Sequence, residues 1–153
     1  ADTSAVMLTG PYMPEETQRR LRHLAARRER LELLSFVQDA DVLMRRADRV
    51  IAMGGYNTVC SVLSYGKPAL IVPRVKPRQE QLIRARQFHG LGMLDVLLPS
   101  ELQPQRLATW LAADVRSPRG IRQRVNFGGL AAIPTLLKQA LGITTLPVAC
   151  AGR

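Results

Sequence analysis

Aromatic side chains are scarce in these 153 residues: three Phe, three Tyr and one Trp. They lie scattered, so no platform for stacking nucleic-acid bases is evident. Cysteine is scarcer still. Cys60 and Cys150 are the whole complement, too few for a disulfide framework and without metal spacing. That usage fits a reducing cytosol. The two histidines, His23 and His89, fall in arginine-rich stretches and read as surface residues, so neither is nominated as a catalytic base. No apolar run approaches the roughly 18 residues of a membrane span, and no signal peptide is visible. The sequence has no G-x-G-x-x-G, which argues against a dinucleotide dehydrogenase, and no G-x-x-x-x-G-K-[ST], which argues against a P-loop enzyme. No metal or other cofactor is expected. Acidic residues are also few, 12 against 22 Lys and Arg, for a formal charge of +10. A basic excess favours anionic partners: nucleotide phosphates, acidic lipid surfaces or nucleic acid.

What is present is enough apolar sequence, 46%, for one domain with a real core. The stretch from Arg49 to Pro73, RVIAMGGYNTVCSVLSYGKPALIVP, organises the rest. Val50–Met53 reads as a buried strand stopped by Gly54-Gly55. A helix opens at Tyr56-Asn57-Thr58 with Val59, Val62 and Leu63 on its inner face. Gly66-Lys67-Pro68 ends it, and Ala69–Val72 reads as the next buried strand. Glycines at a strand's carboxyl end let a ligand approach the backbone closely. The helix start beyond them offers free N–H groups and the positive end of a dipole, which suits a phosphate.

Strand and helix patterns alternate on either side. Strands are predicted at Ala5–Thr9, Leu31–Val37 and Leu94–Leu98. Helices are predicted at Thr17–Arg30, Ala40–Arg46 with Asp39 as cap, Gln79–Leu91, from Pro104 onward with a Leu107, Trp110, Leu111 stripe, and Gly128–Leu141, broken or kinked at Pro134. Apolar strands without polar alternation, each followed by a helix, predict an α/β fold: a Rossmann-like, mostly parallel sheet with helices on both faces. There is no internal repeat. Residues 1–142 are expected to form one domain, and residues 143–153 a loose tail. The abrupt opening at Ala1 suggests a fragment, or one subunit of a larger whole.

The order MGGYNTVCSVLSYGKPALIVPR, then RQEQLIRARQFHGLG, is specific. It resembles the C-terminal domain of glycosyltransferase family 28, from about Ala5 to Ala113 and most densely over Ala47–Gly92. The resemblance implies the C-terminal half of a GT-B fold, which holds a nucleotide-sugar donor, usually a UDP-sugar, while an N-terminal domain or partner subunit holds the acceptor and the base. It implies site residues too. Gly10 matches a loop near the diphosphate, and Phe36 and Val37 match the segment lining the uracil pocket. Gly54, Gly55, Tyr56, Asn57 and Thr58 match the turn and helix start that touch the phosphates. Glu80 and Gln81 match the polar pair that reaches the donor sugar and phosphate. Ser61 stands where the family usually has a Glu binding the ribose hydroxyls. A carboxylate accepts from two hydroxyls at once and a serine does not, so ribose recognition is in question.

The implied activity is hexosyl transfer from a UDP-sugar such as UDP-N-acetylglucosamine, with the isolated domain inactive and no catalytic residue of its own. The expected location is the cytoplasm, with peripheral contact at the anionic inner membrane face. Two other classes fit parts of the sequence. A regulatory or scaffolding half that has lost donor binding fits Ser61. A basic nucleic-acid-binding module fits the charge, but the arginines form no single stripe, and nucleic acid is disfavoured as a partner. Arg74-Val75-Lys76-Pro77-Arg78 reads as a basic loop open to a diphosphate, a lipid phosphate or solvent.

Overall fold

The computed structural model describes residues 3–142 and divides the chain into two compact units, Ala1–Arg46 and Ala47–Arg153. The tail expected at residues 143–153, with Cys150, lies outside the described residues.

The first unit is a strand–helix–strand–helix segment. Strand β1 (Ala5–Leu8) pairs in parallel with β2 (Leu31–Leu34), Ala5 against Leu31 through Leu8 against Leu34. Helix α1 (Glu15–Ala25) makes the crossover, and α2 (Ala40–Arg46) follows β2. Helix α1 starts earlier than the pattern predicts, with Glu15 and Glu16 in its first turn, where negative charge favours a helix start. It also ends earlier. Ala25 is its one buried residue, and beyond it Ala26–Arg30 are all exposed, so nothing apolar holds a further turn against the sheet. The chain instead turns through Arg28 N–H to Ala25 O and Leu31 N–H to Arg28 O. Strand β2 stops at Leu34, short of the expected Val37, because its partner runs out: the last rung is Thr9 N–H to Leu34 O, and Gly10 (φ 79°) then turns the chain away. All four β1 residues are exposed, so this strand lacks the two-sided cover that its composition suggests. The expected cap on α2 is present: Asp39 Oδ1 accepts from the Asp41 N–H at 2.9 Å.

The second unit carries a three-stranded parallel sheet in the order β3 (Val50–Ala52), β4 (Ala69–Ile71), β5 (Asp95–Val96). Helix α3 (Tyr56–Ser64) joins the first two strands and α4 (Glu80–Gly90) the last two. The central strand β4 is buried at every residue, as an uninterrupted Ala-Leu-Ile run predicts. Val59, Val62 and Leu63 of α3 pack into the same core with Ile71, Met93 and Ala85. Full burial of such a Val, Leu or Ile side chain contributes roughly 1.5–3 kcal/mol, so this core is the main reason the unit holds its turns in place. Helix α3 ends as its Gly66-Lys67 sequence predicts. Gly66 (φ 62°) donates to Leu63 O and Lys67 to Val62 O, the paired bonds of a left-handed helix stop.

A 3-10 turn (Pro99–Glu101) leads to α5 (Pro104–Ala112), where Pro104 occupies the first turn as expected. Leu107 and Trp110 are half-buried, but Leu111 stays 45% exposed. Helix α6 (Ile121–Arg124) is an addition to the expected elements. Four residues carry too short a period to register in a pattern, yet Ile121 is buried and α6 packs on α3. Helix α7 (Gly129–Ala140) runs through Pro134, so the proline does not break it. A proline forfeits one N–H, and the helix continues on either side of that gap.

Candidate functional site

Parallel strands place all their carboxyl ends on one edge, and loops leaving that edge form the usual ligand side of an α/β sheet. In the second unit that edge carries two segments. The first is Gly54-Gly55, between β3 and α3. Gly54 has φ 83° and is buried, and a Cβ built on it would lie 2.6 Å from Ile71 Cγ2. Only glycine therefore lets the chain leave β3 tightly against β4. Gly55 is the N-cap of α3 and has no side chain to offer the helix start. The first intrahelical bond in that turn is Val59 N–H to Gly55 O at 3.0 Å. The N–H groups of Tyr56, Asn57 and Thr58 precede it, and α3 has no side-chain cap and no acidic residue in its first turn. Thr58 is thus the third helical residue.

The second segment is the loop from Val72 to Gln79, between β4 and α4. It holds Arg74, Lys76 and Arg78, of which all three are exposed. Gln81, half-buried in the first turn of α4, reaches back and accepts from the Arg74 N–H through Oε1 at 3.0 Å. Its amide nitrogen keeps its N–H donors. Glu80 is exposed. One turn on, Arg84 crosses to the other segment: Nη1 donates to Gly54 O at 3.1 Å, and Cζ stands 5.4 Å from the centre of the Tyr56 ring. A cation over an exposed aromatic face contributes about 0.5–1 kcal/mol. Arg84 ties the two loops together, and sequence reasoning missed it. Its only signal was position, three residues after Gln81 and so on a neighbouring part of the helix surface.

Ser61 lies on α3 one turn after Thr58, half-buried, on a face away from the buried Val59 and Leu63. Cys60 is free and half-buried. In the first unit Gly10 leaves β1 and Phe36 and Val37 leave β2, so these three also follow the carboxyl edge of their own sheet. Phe36 is 66% exposed and is not a core residue; Val37 is half-buried.

Other sequence features have structural employment. His89 is exposed, yet its Nδ1 donates to Leu94 O at 3.0 Å. Asp39 is engaged as the α2 cap. Among the described residues no group of three His, Cys, Asp or Glu is placed to hold a metal ion. A recess of about 170 Å³ lies at the opposite, amino-terminal edge of β4 and β5, between Pro68, Met93, Asp95 and Pro118. It belongs to neither loop segment.

The family model described as glycosyltransferase family 28 C-terminal domain matches residues 2–124. The chain belongs to that family. Among curated members, the UDP-N-acetylglucosamine–N-acetylmuramyl-(pentapeptide) pyrophosphoryl-undecaprenol N-acetylglucosamine transferase of Brucella canis is 30% identical over 96 residues, 62% of this chain and 25% of the relative. The Haemophilus influenzae transferase of the same name is 25% identical over 83 residues, 54% of this chain and 24% of the relative. The matched region therefore spans about a quarter of these relatives' length. Among solved structures, the glycotransferase of kitacinnamycin superposes with TM-score 0.66 at 18% identity, over 89% of this chain and 35% of the other. The glycosyltransferase VinC in complex with DTDP gives 0.58 at 21%, over 91% and 30%. These two show the fold alone, an α/β architecture of the GT-B type, which is the class the sequence suggests.

Proposed function

We propose that residues 1–142 are the donor-binding domain of a hexosyltransferase, holding a UDP-sugar for transfer to an acceptor bound by an N-terminal domain or partner subunit. Family membership supports a transferase. The observation that carries the donor reading is the start of α3. Three N–H groups, those of Tyr56, Asn57 and Thr58, follow a glycine turn at a strand's carboxyl end with no side-chain cap. A diphosphate is the ligand chemistry that such donors and a helix dipole favour. The names of the curated relatives make UDP-N-acetylglucosamine the first donor to try.

In the proposed reaction an acceptor hydroxyl oxygen bonds to the anomeric carbon. The bond from that carbon to the β-phosphate oxygen breaks, and UDP leaves with the electron pair. The hydroxyl proton passes to a base on the acceptor side. This domain's share is to stabilise the departing diphosphate with preorganised N–H donors, which needs no titrating side chain. In the second unit Gly54 to Thr58 would take the phosphates, Glu80 and Gln81 the sugar and phosphate, and Ser61 the ribose; for Gly10, Phe36 and Val37 of the first unit the family resemblance alone suggests diphosphate and base contacts. We place the protein in the cytoplasm, with peripheral contact to an anionic membrane face through its basic surface. Among the described residues no helix is long and apolar enough to cross a membrane.

Titration with UDP, followed by backbone amide shifts, tests the reading. Shifts clustered at Gly54–Thr58 and Gln81 support it. Shifts confined to the arginines of α1 point to non-specific charge binding and reject it. Ser61 favours one second reading, a scaffolding half that no longer binds donor; absence of any saturable UDP binding would support that instead.

A further inference from the structure

Arg84 joins the two loops of the proposed donor edge. Nη1 is engaged by Gly54 O at 3.1 Å, and the group stands 5.4 Å from the Tyr56 ring centre. Both partners flank the uncapped start of α3. A guanidinium has five N–H donors in a planar fork, and the Gly54 carbonyl accounts for one. Among the described residues Arg84 has no carboxylate within ion-pair distance. Glu80, one turn earlier on the same helix, is exposed and makes no such pair. A half-buried cation is therefore held beside three unsatisfied N–H donors by a neutral carbonyl and a ring, neither of which cancels its charge.

We propose that Arg84 is a specificity-determining residue for the donor's diphosphate, contacting a phosphate oxygen through the N–H groups that Gly54 leaves open while its Nη1 bond fixes the glycine turn. This rests on the donor reading of the same edge. Two roles in one side chain follow from the fork geometry. A lysine ammonium is a point charge on a flexible stem and does not reproduce a planar contact to carbonyl and phosphate together. Tyr56 would act on the ligand only through Arg84, as a positioning residue that limits where the guanidinium can lie.

The test is calorimetric titration of the wild-type protein, Arg84→Gln and Arg84→Lys with UDP, UMP and uridine, with thermal unfolding as a check on each variant. For Arg84→Gln we expect UDP affinity to fall at least tenfold and uridine affinity to stay within twofold. For Arg84→Lys we expect an intermediate loss for UDP. A structural role alone would weaken UDP, UMP and uridine by the same factor, or lower Tm with UDP affinity kept. Either result overturns the assignment and leaves the donor reading standing. If Arg84→Gln does not fold, Arg84→Lys with the same three ligands decides, because equal loss for UDP and uridine overturns the assignment there too. Wild-type protein that binds none of the three removes the donor reading and this inference with it.

Discussion

Arg49 meets Trp110 twice. Its Nη1 donates to the Trp110 carbonyl at 2.8 Å, and its Cζ lies 5.7 Å from the centre of the indole ring. Nη2 reaches Ala113 O at 2.6 Å, so one guanidinium closes the last turn of α5. A cation there also opposes the negative end of the helix dipole. The indole Nε1 then donates to Asp95 Oδ2 at 2.8 Å. A chain of polar contacts thus links the residue before β3, the end of α5 and the first residue of β5.

Arg49→Met should therefore destabilise the second unit without touching the ligand edge. Hydrogen bonds to a charged group contribute about 1.5–3 kcal/mol, and the exposure of the Ala113 contact argues for the lower end. The expected outcome is a Tm lower by several degrees with UDP affinity unchanged. Calorimetric unfolding and a UDP titration on the same sample check it, and an unchanged Tm would show that α5 needs no such closure.

Gly54→Ala should be worse. A left-handed φ costs an ordinary L-residue about 1–2 kcal/mol, and the new methyl would meet Ile71 Cγ2 at 2.6 Å. Overpacking of a core adds roughly 1–3 kcal/mol. Gly66→Ala is the matched control, since Gly66 has φ 62° but nothing within 4 Å of the added Cβ. Denaturant unfolding of both variants should show Gly54→Ala losing clearly more than Gly66→Ala. Equal losses would mean that backbone strain alone, and not contact with β4, demands the glycine.

These two glycines were legible beforehand, and the reason is local. Each sits where an apolar run or an amphipathic period stops, and the backbone conformation there is one that other residues avoid. The inner face of α3, the fully buried β4, the Asp39 cap and the Pro104 helix start were legible for the same reason: neighbours in sequence decide them. Arg84 and the Arg49–Trp110–Asp95 contacts were not, because they join residues 15 to 61 positions apart. An arginine on a helix looks alike in sequence whether it meets water or a carbonyl from another crossover. The lengths of α1 and β2 were overestimated because composition continues past the point where the packing partner ends.

Gln81→Glu separates charge from loop structure. Gln81 Oε1 accepts from the Arg74 N–H at 3.0 Å, and a carboxylate oxygen can accept the same bond, so the fold and its Tm should hold. The variant loses the amide donors and adds a negative charge where the donor reading puts a diphosphate. Two unit charges 4 Å apart interact by about 4 kcal/mol at an effective dielectric constant of 20, less where solvent screens them. UDP affinity should fall tenfold or more and uridine affinity much less. Calorimetry with both ligands measures this, and equal affinities for wild type and variant would place the diphosphate away from α4.

Ser61→Glu should act in the opposite direction. Ser61 follows Thr58 by three residues on α3, so the two share one side of the helix, and Ser61 stands apart from the buried Val59 and Leu63. Its backbone carbonyl is engaged by the Tyr65 N–H at 2.9 Å, which leaves the side chain as the variable part. With the phosphates at the helix start, the ribose of a bound donor falls near residue 61. A carboxylate there forms charge-assisted bonds to the ribose hydroxyls, each about 1.5–3 kcal/mol, against about 0.5–1.5 kcal/mol for a neutral serine bond. The difference is of order 1–2 kcal/mol, roughly five- to thirtyfold in affinity. Repulsion between the new carboxylate and the diphosphate opposes this. The ribose separates the two, and the residues after Arg46 carry fourteen Lys and Arg against five Asp and Glu, so the gain should win. The variant should bind UDP more tightly and discriminate more strongly against its 2′-deoxy analogue. Calorimetry with both nucleotides decides it. A folded variant with unchanged affinity and unchanged sugar preference would mean that the ribose never meets this face of α3.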